Sequence, residues 1–433
     1  MPFTFHYGDE DINVNIPYGR CLGTLDISDA HEVPAVERTV RDALENPIGM
    51  NKSIFEIIRP GENVCIIISD SFRKTGSQEF LPPLIKGLNE SGITDDAIAL
   101  LVATGSHRAP NADETKAILG KELFHRFHKQ VCVNDAHNSD EHVHVGTTSR
   151  GTPVRLDRRA VEADRVIVTG SVVMHYFAGY GGGPKAVFPG IATVDGIAAN
   201  HAMNLDPDQD VLDPNVAIGK TSGNPIAEDI EEAAAFLKPD CLLNTVLNRY
   251  GEIAGVFVGD MQAAHREACE FAREIFALKV DEDADMVIAS TGDIKNFVQT
   301  HKALFNTYSV VKPHGRIILL AKCPEGLGGE QFQKWLRLGD RAAIIAALRK
   351  NAEINGQTAL STIEKAPITL FVTDMSTDDV QMLQGTKAES VEQALMLAKK
   401  HFDAHHITEP TYYVMPSAAY TVPFVEAQMS IGA

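Results

Sequence analysis

The chain has 433 residues, 44% hydrophobic and 22% charged, with 58 acidic against 39 basic side chains and a formal net charge of −19. That length exceeds one ordinary compact core and predicts two domains, in a composition typical of folded proteins. The acidic balance repels polyanions, so nucleic acid and anionic membrane surfaces are excluded as partners, and an anionic substrate needs a local basic pocket.

The N-terminal stretch lacks a basic segment ahead of an apolar one, and no apolar run approaches the roughly 20 residues that span a bilayer. Cys21, Cys65, Cys132, Cys241, Cys269 and Cys323 stand apart without a C-x-x-C pair and read as reduced thiols. A cytoplasmic protein is expected.

A helical pattern covers residues 33–45. The continuous apolar run at 64–69 reads as a strand covered on both faces, and Ser69-Asp70-Ser71-Phe72-Arg73 closes it. After a helix at 79–91, a strand at 98–104 ends in Thr104-Gly105-Ser106-His107-Arg108. The strand at 165–170 leads to His175 and then to Gly179-Tyr180-Gly181-Gly182-Gly183-Pro184-Lys185. Helices at 225–237 and 263–278 follow. A polar break at 280–284 opens a second unit, with strands at 286–290, 316–321 and 368–373 and helices at 295–311, 341–351 and 390–401. This alternation predicts an α/β protein of two domains with mostly parallel sheets. The expected domains are residues 1–279 and 280–407, with residues 408–433 rejoining the first.

Ligands of open α/β sheets bind beyond the carboxyl ends of the strands, and the polar motifs cluster there. The glycine loop lets backbone N–H groups approach an anion closely. It is not a Walker A loop, because Pro184 precedes the lysine and Ala186 follows it. Alone, it reads equally well as a solvated surface loop. His107 and His175 can exchange protons near neutrality, although a lone histidine is more often structural. Arg73 and Arg108 suit carboxylate or phosphate, with surface ion pairs as the bland alternative. Lys295, Gln299 and Lys302 form one stripe of a helix, which a solvated face also explains. The cluster His125, His128, His137, His142 and His144 has no compact metal-site spacing and reads as an exposed histidine-rich face.

Together the motifs SDSFR (69–73), TGSHR (104–108), HYFAGYGGGPK (175–185), Asn200-His201 and Gln299-Thr300-His301-Lys302 resemble the nickel-dependent lactate racemase family in order and spacing. The resemblance implies a nickel-pincer nucleotide, a pyridinium mononucleotide with sulfur and carbon donors to nickel, tethered covalently to Lys185. It implies cofactor contacts at Asp70, Gly181, Gly182 and Gly183, and His201 as the protein's nickel ligand. His107 and His175 become the acid and base on opposite sides of the substrate. Arg73, Gln299 and Lys302 hold its carboxylate, and the active site is expected in the cleft between domains. The implied partners are a small 2-hydroxy acid and the enzymes that synthesise the cofactor.

The implied reaction suits the chemistry. A C–H beside a hydroxyl and a carboxylate is weakly acidic, so hydride transfer through a planar 2-keto acid avoids a carbanion, and inversion needs a base on each face. Val298 stands where lactate racemases tend to carry an aromatic residue, and Ala178 replaces a small polar one. Both changes point to a wall that admits a longer hydroxy acid. The alternatives are a nicotinamide-dependent 2-hydroxy acid dehydrogenase, which lacks its dinucleotide fingerprint here, and a non-catalytic carrier of the cofactor, for which both histidines would be superfluous. A zinc hydrolase lacks H-E-x-x-H.

Overall fold

The computed structural model describes residues 2–425. The chain divides into two compact units, one of residues 29–207 and 212–275, the other of residues 1–28, 208–211 and 276–433. Both are α/β units built on mostly parallel sheets, as the alternation of elements predicts.

In the unit of residues 29–207 and 212–275, six strands lie in the order Ile253–Gly259, Cys241–Leu247, Arg165–Ser171, Val64–Ser69, Ile98–Ala103 and Val131–Val133. All pairs are parallel except the first, an antiparallel hairpin. The Val64–Ser69 strand shows why its apolar run is unbroken. Ile66 and Ile68 enter a core with Phe80 and Leu84 of the Ser77–Glu90 helix, whereas Cys65 and Ile67 enter a second core with Phe188, Ile226 and Ala264. Alternate side chains face opposite ways along a strand, so burial on both faces leaves no polar position.

The other unit carries an all-parallel sheet ordered Thr386–Ala388, Thr369–Val372, Val311–Leu320, Ala284–Ser290, Thr411–Met415 and Arg20–Thr24. This corrects the expected domain boundaries at both ends. The first 28 residues belong here, and so does the closing stretch, because Thr411–Met415 pairs with Ala284–Ser290 instead of rejoining the first domain. The Arg20–Thr24 strand escapes sequence patterning because it is an edge strand, half exposed and without an apolar run. Ahead of it, the hairpin of Phe3–Tyr7 and Glu10–Val14 buries Phe5 and Val14 in the core that holds Met286 and Ile288. Val422–Val425 pairs with Ala277–Val280. The part of the 408–433 assignment that covers residues 426–433 lies outside the described residues.

The Phe297–Tyr308 helix is shorter than its pattern. Asn296 caps it, Oδ1 accepting the Gln299 N–H at 3.3 Å, which leaves Lys295 outside the helical stripe. No helix among the described residues is long and apolar enough to cross a membrane.

Candidate active site

The neighbouring strands Val64–Ser69 and Ile98–Ala103 end side by side and bring Asp70 to His107. The Asp70 side chain is 2% exposed, and its Oδ2 lies 2.7 Å from His107 Nδ1. Its Oδ1 accepts the Phe72 N–H at 3.1 Å. A carboxylate accepts, so Nδ1 carries the imidazole proton and Nε2 is the basic nitrogen. The His107 ring stays 42% exposed, and the Phe72 ring packs 4.8 Å from it. Asp70, expected among the cofactor contacts, is thus engaged on both oxygens within the chain.

The two arginines of these loops differ. Arg108 donates to both oxygens of Glu114, at 2.7 and 2.5 Å, and its hydrogen bonds hold that carboxyl down to about 2. Arg73 is exposed, and its guanidinium donates to the Phe72 carbonyl at 3.2 Å. Of the two, Arg108 is the one committed to a carboxylate.

The Arg165–Ser171 strand continues into a short antiparallel pairing of Met174–His175 with Gly179–Tyr180. His175 Nδ1 accepts two backbone N–H groups, from Phe177 at 3.1 Å and Ala178 at 3.2 Å. That arrangement puts the proton of a neutral ring on Nε2, the tautomer opposite to that of His107.

The glycine loop is clamped from below. The N–H of Gly183 donates to Asn244 Oδ1 at 2.8 Å, the N–H of Gly181 to the Val173 carbonyl at 2.8 Å, and His265 Nε2 lies 3.0 Å from the Gly181 carbonyl oxygen. Of the three consecutive glycines, Gly181 and Gly183 have their N–H groups paired within the chain. The glycines also allow close passage of neighbouring side chains. Gly182 and Gly183 have φ of 70° and 50°, and a Cβ on Gly183 would lie 2.5 Å from the His265 ring.

Lys185 follows in the single turn Gly183–Ala186. Its charge acts on two buried histidines. His201, on the Val194–Ala202 helix, is 6% exposed, and burial, with the Lys185 charge adding to it, pushes its imidazole down to about 3. His265 is lowered by burial, with Lys185 again adding. Both are neutral at ordinary pH. Asn200 anchors the His201 helix by donating to Asp229 Oδ2 at 2.9 Å, and the fully buried Asp229 also accepts the hydroxyls of Thr148 and Thr152. A neutral, buried ring nitrogen on which a lysine charge acts fits a tethered nickel cofactor, since borderline nitrogen donors suit Ni(II).

Among the described residues no three His, Cys, Asp or Glu side chains gather into a metal site, and His142 of the histidine-rich stretch is buried against the Asn138 carbonyl. Gln299 and Lys302 belong to the other unit, exposed on one face of their helix, with His301 between them buried. His265, Asn244 and Asp229 went unnoticed in the sequence. Each lies in an ordinary helix or strand pattern, and only contacts across 61 to 84 positions reveal Asn244 and His265 as part of the loop.

Models of the lactate racemase N-terminal domain and of the lactate racemase C-terminal domain match residues 7–211 and 280–409. The chain is 33% identical over 341 residues to a lactate racemase of Thermoanaerobacterium thermosaccharolyticum, covering 75% of this chain and 78% of that protein. It is 31% identical over 337 residues to a lactate racemase of Lactiplantibacillus plantarum, covering 74% and 77%. The solved lactate racemase apoprotein from T. thermosaccharolyticum superposes with a TM-score of 0.86 at 28% identity, over 98% of this chain and all of that one. A Thermotoga maritima protein shares the fold at a TM-score of 0.66 and 17% identity, over 92% of this chain and all of that one.

Proposed function

Because the chain belongs to the lactate racemase family, we propose that it inverts the C2 carbon of a 2-hydroxy acid, lactate or a longer one, through a 2-keto acid. The cofactor in this reading is a nickel-pincer nucleotide tethered to Lys185 with His201 as the protein's nickel ligand, and when bound it supplies a hydride acceptor. The remaining steps belong to side chains. Arg73, with Gln299 and Lys302, holds the substrate carboxylate. His107 takes the hydroxyl proton at Nε2, the nitrogen that Asp70 leaves basic. His175 gives the Nε2 proton to the oxygen on the opposite face as an imidazolium and ends neutral, which requires Nδ1 to release its two backbone donors and hold a proton. In the reverse direction the duties exchange: His175 with its proton on Nδ1 takes the hydroxyl proton at Nε2, and protonated His107 returns its own. Gly181, Gly182 and Gly183 would line the cofactor site.

The observation that supports this reading most directly is the burial of His201, 6% exposed, in the same unit as Lys185 and near enough for the lysine charge to act on it. The test is protein made together with the cofactor-synthesis enzymes. Intact mass should give one adduct mapping to Lys185, metal analysis one nickel per chain, and chiral detection interconversion of 2-hydroxy acid enantiomers without added nicotinamide. An adduct on another lysine, or turnover that depends on free NAD, would overturn it.

A further inference from the structure

Two bulky apolar side chains stand in solvent at the carboxyl ends of adjacent parallel strands. Phe72, 44% exposed, follows Val64–Ser69, and Val173, 37% exposed, follows Arg165–Ser171. Each stands beside a loop that carries candidate chemistry and so offers apolar surface to whatever occupies that site.

Phe72 is held in place. Its ring centroid is 4.8 Å from that of His107, and the Arg108 guanidinium sits 5.3 Å from the Phe72 centroid while Glu114 pins it. The backbone N–H of Phe72 is tied to the carboxylate that orients His107. The segment 70–73 therefore presents, in order, the carboxylate behind the base, a fixed phenyl ring and an exposed guanidinium. A 2-hydroxy acid has three substituents at C2 besides hydrogen. With the carboxylate on Arg73 and the hydroxyl at His107 Nε2, the third is the side chain, and the Phe72 ring, next to Arg73 in the chain and 4.8 Å from the His107 ring, offers it apolar surface. A methyl group covers little of a phenyl face; a benzyl or isobutyl group covers most of it.

We propose that Phe72 forms the wall of a side-chain subsite and that the preferred substrate is a 2-hydroxy acid bearing an aromatic or branched apolar side chain, in preference to lactate. This rests on the 2-hydroxy acid racemase reading and sharpens it. Val173, beside the other proton-transfer loop, adds apolar surface of the same kind.

The experiment compares lactate, 3-phenyllactate and 2-hydroxy-4-methylpentanoate on cofactor-loaded, full-length protein. The larger acids should show kcat/KM at least about tenfold above lactate, and Phe72→Ala should erase about tenfold of that preference while changing lactate turnover less. Lactate as the best substrate, or a preference unchanged in Phe72→Ala, overturns the proposal. Binding of phenylpyruvate against pyruvate, followed by ligand-observed NMR on the same wild-type and Phe72→Ala proteins, tests the subsite without turnover. If no hydroxy acid is racemised at all, the racemase reading fails, and the subsite stands or falls on whether phenylpyruvate binds better than pyruvate and loses that advantage in Phe72→Ala.

Discussion

The Asp70 carboxylate lies 2.7 Å from Nδ1 of His107, almost entirely out of solvent, while the imidazole it holds faces solvent. The pair comes from two different strand ends and assigns the ring's proton, leaving Nε2 as the acceptor.

Asp70→Asn tests that assignment. An amide can donate to Nδ1 and so move the proton to Nε2, where it blocks base catalysis. Racemisation should fall about 10²-fold or more, in the range usual for lost general acid–base catalysis, with nickel and adduct content unchanged. Full activity in this variant would show that Asp70 does not orient the base.

Arg73→Ala and Arg108→Ala should separate. Arg108 is bonded to Glu114 through both carboxylate oxygens, whereas Arg73 is exposed. Losing a carboxylate clamp costs about 10-fold or more in kcat/KM, since a charge-assisted hydrogen bond contributes roughly 1.5–3 kcal/mol. Steady-state kinetics should place the larger loss on Arg73. The opposite ranking would reverse the two roles.

His265 braces the loop that carries Lys185, through the Gly181 carbonyl and the ring under Gly183. His265→Ala should lower the fraction of chains bearing the Lys185 adduct, read by intact mass, and His265→Gln, which can restore an Nε2–H donor, should recover part of it. Gly183→Ala should destabilise by about 1–3 kcal/mol, because the residue needs positive φ and meets the ring. The double variant His265→Ala with Gly183→Ala should lose less than the sum of the two in chemical denaturation. Strict additivity would deny the contact.

The 1%-exposed His301 has its imidazole pushed down to about 3 by burial, with Lys365 and Lys302 adding. The unfolded chain, with an ordinary histidine near 6.5, binds the extra proton between these values. Stability contributed by neutral His301 is therefore complete above about 6.5 and declines as pH falls below it, by up to about 1.4 kcal/mol per pH unit. Urea unfolding at pH 7.5 and 5.5 should show a smaller acid loss in His301→Gln than in wild type. Equal losses would mean that His301 is not neutral in the fold.

What the amino-acid order by itself determined about this protein is whatever depends on short-range pattern. Val64–Ser69 reads as a two-sided buried strand because its neighbours leave no polar position, and SDSFR, TGSHR and the glycine loop stand at strand ends because apolar runs stop just before them. Those motifs, with Asn200-His201 and Gln299 to Lys302, are enough to place the chain in its family. Tertiary structure alone decided how the chemistry is arranged. Asp70 meets His107 across 37 positions, the Gly183 N–H meets Asn244 across 61 and the Gly181 carbonyl meets His265 across 84, and these contacts assign a proton and hold the glycine loop. It also drew two strands from near opposite ends of the chain, Arg20–Thr24 and Thr411–Met415, into one sheet. Local periodicity reports which way a side chain faces, whereas pairing, burial and proton position depend on which distant segment lies against it.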